Sequence, residues 1–510
     1  MSFFSASFFL FLAVTLLVYA VIPQRLRWLP LLAASCVFYC FAGLEAFLYL
    51  VGTTLTVWGG ARIMTSITER EKELRAVHPE WTPEAKKLSR KQAKEKRRVV
   101  FWLVLVLNIG VLCVVKYTNF VGTNLTAVAN LFAAQKTEFS PVSLLVPLGI
   151  SFYTFQAVGY LIDVYNGKYA AEKHLGRFSL FVSFFPQITQ GPIGRYDQLG
   201  EQFKALPALS LSSLEDGALR MLWGYFKKMV IADRLAPLIS TVFASTESYS
   251  GSVIFVAVLA YALQLYADFS GGIDIVSGVA ELFGIKLAPN FKRPYFATSL
   301  ADFWRRWHIS LGAWMRDYVF YPFALTKGVS RLGKRLKGHC SDSFVRALPA
   351  ALGNLVVFFV VGVWHGAQWS FIAWGLYNGA ILAISSFLEP TYQRFAEKHP
   401  KLDASFAFKV FRILRTFLLV VIGYYFDCAL SARGAISLMG KSLLHPGFAQ
   451  LNSTTLTGLL GGVEPVTTFL WVLGVATAVL FTVSVMQEKG ICVRQWLFAR
   501  PLAVRWLILL

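Results

Sequence analysis

Long uncharged apolar runs constrain this chain more than any other feature. Runs approaching the ~20 residues a helix needs to cross a bilayer occur near 3–22, 28–44, 46–61, 99–116, 141–163, 253–267, 347–364, 367–388, 411–430 and 466–485. Shorter or mixed apolar stretches lie near 177–194, 217–233, 272–287 and 295–325. The expectation is an all-α, polytopic integral membrane protein with about 10–12 transmembrane helices plus re-entrant or interfacial helices. Composition agrees: 15% of the residues are charged, against about 25% in soluble proteins. No Ser/Gly/Pro-rich linker divides the 510 residues, so the whole chain, 1–510, reads as one membrane domain. Its first run continues into Pro23 without a small-residue cleavage site, and is expected to be a retained helix and not a signal peptide.

Charge is distributed as a bilayer requires. The net charge is +21, from 49 Lys and Arg against 28 Asp and Glu. The basic residues cluster in short segments beside apolar runs, the pattern of cytoplasmic loops, and this placement argues against nucleic acid as a partner. Arg25 and Arg27 put the end of the first run in the cytoplasm. Residues 62–98 hold twelve Lys/Arg and six Glu and read as a basic cytoplasmic loop of one or two helices interrupted at Pro79 and Pro83. Docking of an acidic partner or anionic lipid is one use for it; a topology signal alone is the favoured reading. Residues 327–346, with six Lys/Arg and Asp342, form a second cytoplasmic candidate, and loops near 117–140 and 446–466 are expected to face outward. The six cysteines are scattered without metal-like or disulfide-framework spacing. No P-loop, HExxH, GxSxG or dinucleotide fingerprint is present, and no metal site is expected.

Two of seven histidines stand in apolar, aromatic surroundings, where an ionisable group is costly and tends to mark function. The first, His308, lies in LADFWRRWHISLGAWMRDY (300–318). Read as one helix, this segment stacks Trp304, His308, Leu311 and Met315 on one face and sets Asp302 and Arg306 at the favourable i,i+4 spacing. With Arg305 and Ser310 it is too polar for lipid and should lie across the protein interior. The second, His365, ends an apolar helix in VVGVWHGAQW (360–369), between Trp364 and Gly366, with Gln368 close by. Burial favours a neutral imidazole, the form a general base needs. Asp268 and Asp274, in YADFSGGID (266–274), are expected to break a helix at depth and line a polar cavity. The run FFPQITQGPIGR (184–195) reads as a re-entrant or kinked element.

The blocks PLGISFYTFQAVGYLIDVY (147–165), FFPQITQGPIGRY (184–196), YADFSGGIDIVSGVAELFGIKLAPNFKRPY (266–295), DFWRRWHISLGAWMRDYVFYP (302–322) and WHGAQWSFIAWGLYNG (364–379) occur in an order that resembles the membrane-bound O-acyltransferase family. The resemblance is to its bacterial branch of alginate O-acetylases and teichoic-acid D-alanyl transfer proteins, with an acyltransferase core at 147–379. It implies a helical fold around a central cavity and acyl transfer across the membrane. It further implies His365 as the catalytic histidine and His308 as the second active-site histidine. Asp268, Asp274, Asp302, Arg305 and Arg306 would line or support the cavity, with Ser310, Trp364 and Gln368. Gly272 and Ile273 stand where the branch often has Tyr-Ser, which alters the lining.

The chemistry implied moves an acyl group, acetyl first or else D-alanyl, to hydroxyls of a cell-surface polysaccharide or teichoic acid. The donor would be an acyl-CoA or acyl-carrier protein at the cytoplasmic face, acting as co-substrate with no bound cofactor. An extracytoplasmic partner protein is a further expectation, and the location a multi-pass protein of the inner or plasma membrane. The competing readings are a transporter or flippase with a histidine proton relay, and a scaffold with structural histidines.

Overall fold

In the computed structural model, residues 1–133, 135–461 and 464–509 are described. Among them the regular structure is helical, with two isolated β-bridges and no strand. The chain divides into two compact units, residues 1–217 with 279–288, and residues 218–278 with 289–510.

The first unit begins with α1 (Ala6–Val21), α2 (Trp28–Cys40), α3 (Leu44–Val77) and α4 (Pro83–Ala129). The polar segment 62–98 forms the ends of α3 and α4, broken at 78–82 as its two prolines predict. Pro83 takes the first helical position, where a missing N–H is harmless, and Thr82 caps the helix by accepting from Ala85 N at 3.2 Å. Helix α4 runs 47 residues, about 70 Å at 1.5 Å per residue. It therefore takes up residues 117–129, expected as part of a loop, because they contain no Gly-Pro break strong enough to end it. A side chain at Gly60 would meet Val104 Cγ2 at 2.6 Å, so this glycine lets α3 and α4 approach.

Two further helices complete this unit, α5 (Ile150–Tyr165) and α6 (Leu175–Ser183). After α6 the backbone is irregular through residue 195, as the Pro- and Gly-rich run predicts. Irregular backbone at depth is tolerated where protein satisfies it. Here the buried Gln156 does so, accepting from Gln187 Nε2 at 2.8 Å and from Gly194 N at 3.3 Å.

The second unit takes up most of α7 (Leu211–Tyr225), then α8 (Asp233–Ala244) and most of α9 (Gly251–Leu282). Contrary to expectation, α9 is continuous through Asp268 and Asp274. The carboxylates are neutralised from the side instead of by opening the helix. Asp274 accepts from Lys227 Nζ at 2.6 Å and Arg220 Nε at 3.0 Å, and Asp268 pairs with Lys228 at 2.5 Å. Lys227 is 3% exposed and also donates to Ser270 Oγ at 2.9 Å. A Cβ at Gly271 would sit 2.9 Å from the Gly224 carbonyl oxygen, so the glycines serve close packing and not a break.

The remaining helices include α10 (Leu300–Arg306), α11 (Ile309–Met315), α12 (Asp342–His365), α13 (Trp369–Lys398), α14 (Phe406–Cys428), α15 (Ala432–Leu444) and α16 (Val466–Glu488), with other short helices, Lys327–Leu336 among them, between and after these. Helices α12 and α13 form a tight hairpin with its turn at 366–368. Added side chains at Gly362 and Gly375 would meet the carbonyl oxygens of Phe371 and Phe358 at 2.5 and 2.2 Å. Among the described residues, five helices, α4, α9, α12, α13 and α16, are long and apolar enough to cross a membrane. The protein is a polytopic helical membrane protein.

Candidate functional site

The expected single helix over 300–318 is interrupted at the histidine. Trp307 N still bonds back to Phe303 O at 2.8 Å, and Gly312 N to His308 O at 3.0 Å. Between these bonds the ladder is handed to another segment. Ile309 N donates to Asn290 O, and Ser310 N to Asn290 Oδ1, both at 3.0 Å. Lys292 N donates to Arg306 O at 2.9 Å, and Phe291 bridges to Trp307. The extended strip 290–292 thus replaces the helical partners of 306–310. His308 consequently adopts φ +46°, a left-handed conformation costly for a residue with a Cβ. Such strain persists only where the surroundings enforce it, and it clusters at functional positions.

The His308 side chain is 4% exposed. Its ring meets Phe269 edge-on at 4.9 Å and Trp364 at 6.0 Å between centroids. Nδ1 lies 3.3 Å from Asn290 Oδ1, and Nε2 is buried without a hydrogen-bond partner among the described residues. His308 lies outside the long spanning helices. Burial pushes its imidazole below the ordinary value, and His365 acts in the same direction, so the ring is neutral.

His365 is the last residue of α12. Its ring is accessible and packs against Trp364 and Trp374 at 5.0 and 5.1 Å between centroids. Trp364 therefore flanks both histidines. The hairpin supplies the framework: Trp374, on α13, also meets Trp304 of α10 at 5.6 Å, and Trp304 Nε1 donates to Asn378 Oδ1 at 3.3 Å.

A cavity of about 400 Å³ opens beside His308. Its walls are largely apolar, including Trp304, Leu311, Met315, Val357 and Phe358, with Arg305, Arg316 and Asn354 as polar exceptions. Gly312 leaves space in the wall. Such a space, apolar with a few polar groups, suits a small organic substrate.

The expected residues divide into four groups. His308, Trp364 and His365 come together, and Ser310 joins them through Asn290, to which its Oγ donates at 2.9 Å. Asp302, Arg305 and Arg306 lie on α10, one turn away. Arg306 Nε donates to Asp302 Oδ1 at 3.1 Å, the spacing read from sequence, and Arg305 lines the cavity. Gln368 is exposed at the start of α13. Asp268 and Asp274 lie apart from the cavity walls, in the ion pairs that hold α9 to residues 220–228.

Two contributors were not legible from sequence. One is Asn290. The other is Glu488 at the end of α16, which binds Arg306 Nη1 at 3.0 Å and Arg293 Nε at 2.6 Å. Asn290 stands in the block 266–295 that carries the family resemblance, but nothing local marked its role, and Glu488 lies in no such block, because their partners are 18–20 and nearly 200 residues away. Glu488→Gln is expected to destabilise the protein by about 1.5–3 kcal/mol, the range for hydrogen bonds to charged groups. A fall in detergent melting temperature with unchanged helicity would show it; an unchanged melting temperature would remove Glu488 from the framework.

Fold and site together define a helical membrane protein that sets one buried and one accessible imidazole in an aromatic surround. Residues 173–337 match the model of the membrane-bound O-acyltransferase family. A probable alginate O-acetylase of Azotobacter vinelandii is 34% identical over 423 residues, covering 82% of this chain and 72% of the relative. A peptidoglycan O-acetyltransferase of Helicobacter pylori is 31% identical, covering 71% and 69%. A teichoic acid D-alanyltransferase of Bacillus subtilis is 29% identical, covering 64% and 82%. The chain belongs to the membrane-bound O-acyltransferase family, and it is an acyltransferase.

Proposed function

We propose that the protein transfers an acyl group, acetyl in the first instance, from an activated donor at the cytoplasmic face to hydroxyls of a cell-surface polysaccharide. The observation that carries this reading is the meeting of His308 and His365 across Trp364, with His308 in the wall of a cavity of about 400 Å³. The relatives supply the substrate class: those named above are O-acetyltransferases of alginate or peptidoglycan and a D-alanyltransferase of teichoic acid. The last of these keeps D-alanyl transfer as a second reading.

His365 removes the proton of the acceptor hydroxyl as its oxygen attacks the acyl carbonyl of a thioester donor. The tetrahedral intermediate collapses with loss of the thiolate, which takes the proton back from the imidazolium. The products are a polymer ester and a free thiol, and His365 ends neutral. Arg305 and Arg316, at the cavity wall, attract an anionic donor such as an acyl-CoA or a carrier-protein arm. The basic ends of α3 and α4 mark the cytoplasmic side of the inner or plasma membrane, and an extracytoplasmic partner protein would present the polymer.

The test is saponification of the surface polymer from cells with and without this protein, and identification of the released acid. Protein-dependent acetate supports the reading. D-alanine moves it to the second branch, and no protein-dependent acid overturns both.

A further inference from the structure

We propose that Asn290 is a positioning residue that fixes His308 as a hydrogen-bond acceptor at Nε2, so that His308 holds a hydroxyl beside the reacting one on the incoming polyol, leaves the reacting proton to His365, and does not stabilise developing negative charge. This rests on the acyl-transfer reading above and assigns His308 one of two roles that its position alone would allow.

The assignment follows from which atoms can donate. Ser310 N is a backbone donor and nothing else, and it lies 3.0 Å from the Asn290 side chain. The Asn290 atom facing it must be the carbonyl oxygen, because a flipped amide would set N–H against N–H. That same oxygen lies 3.3 Å from His308 Nδ1. An oxygen that only accepts requires Nδ1 to carry the hydrogen. A neutral imidazole protonated at Nδ1 has its lone pair at Nε2. Nε2 is also the ring atom left without a partner among the described residues, covered by protein, while the His308 residue lines the cavity, so a hydroxyl reaches Nε2 when a side chain of the wall gives way. A buried acceptor without a donor is costly, and a substrate hydroxyl supplies the donor. An oxyanion cannot bind there, since lone pair would face lone pair.

The surroundings keep the ring in this state. Phe269 of α9 and Trp364 of α12 face it with uncharged rings. The ionisable groups nearby are His365 of α12 and, along the cavity, Arg305 of α10, with Arg316 and Tyr321 beyond α11. Burial and His365 oppose a second proton on the ring.

The experiment measures initial rates of polymer-ester formation from labelled acetyl-CoA in permeabilised cells, between about pH 5 and 8, at matched membrane abundance. Asn290→Asp keeps an oxygen for Ser310 and His308 but adds negative charge, which raises the imidazole's proton affinity. Protonation then removes the Nε2 lone pair at a higher pH. An adjacent carboxylate raises such a group by about 1–3 units from the level of about 3 at which burial holds it, so the variant is expected to lose activity toward pH 5 more steeply than wild type, with activity recovering on the alkaline side. Asn290→Ala is expected to lose roughly tenfold in kcat with little change in KM. Asn290→Asp with full activity and an unmoved acidic limb overturns the proposal. Should that variant fail to accumulate, Asn290→Ser, which can still accept, is expected to exceed Asn290→Ala, and equal rates overturn it. A wild type that forms no ester is instead a failure of the acyl-transfer reading, and is recognised before any variant is compared.

Discussion

Replacing His365 by alanine is expected to lower polymer esterification about 10²–10⁴-fold, the usual contribution of a general base, with the protein still present in the membrane. The ring is the accessible end of α12, and its packing partners Trp364 and Trp374 also pack elsewhere in the site, against His308 and Trp304. Removing it therefore leaves the hairpin standing. Ester content per unit of protein, after saponification, reads the effect. Ester equal to wild type at equal abundance would show that His365 is not the base, and the histidine pair would then be structural.

Gly375→Val is expected to have the largest effect on stability. Its Cβ would lie 2.2 Å from the Phe358 carbonyl oxygen and 3.1 Å from Gly362 Cα. Neither neighbour is a side chain that can swing aside, so α12 and α13 must separate along their whole contact. Overpacking into adaptable cores costs 1–3 kcal/mol, and a clash with backbone exceeds that, so about 3 kcal/mol or more is expected. Separation would also dislodge His365 and Trp374, removing activity together with the fold. The control is Gly474→Val on α16, where an added Cβ meets nothing within 4 Å. Thermal unfolding of both variants in detergent checks the difference, and equal melting temperatures would remove the close hairpin from the account of the site.

Features of composition and local spacing were readable without a structure. Twenty apolar residues in a row must be helical in lipid because no water is present to satisfy the backbone. Pro79 stops α3 because its ring and the residue before it exclude the needed geometry, and Pro83 opens α4 because the first turn needs no N–H from it. Asp302 and Arg306 pair because one helical turn brings them together. His365 at the end of α12 followed from the glycine after it, and the sequence blocks resembling the acyltransferase family pointed to the enzyme class.

Tertiary structure decided whatever depended on partners distant in the chain. Asp268 and Asp274 looked like helix breakers until Lys227, Lys228 and Arg220 neutralised them from the side, leaving α9 intact. The segment around His308 looked like one helix because helical periodicity is a local signal. Asn290 takes over its N–H groups and turns the histidine into a left-handed conformation that no spacing rule anticipates. Glu488, in a tail with no recognisable motif, anchors Arg306 and Arg293. The bilayer sets helices through local hydrogen bonding and hydrophobicity, which the sequence carries residue by residue. The orientation and protonation of a catalytic imidazole depend instead on which side chains the folded chain brings within about 3 Å, and only the tertiary structure specifies that.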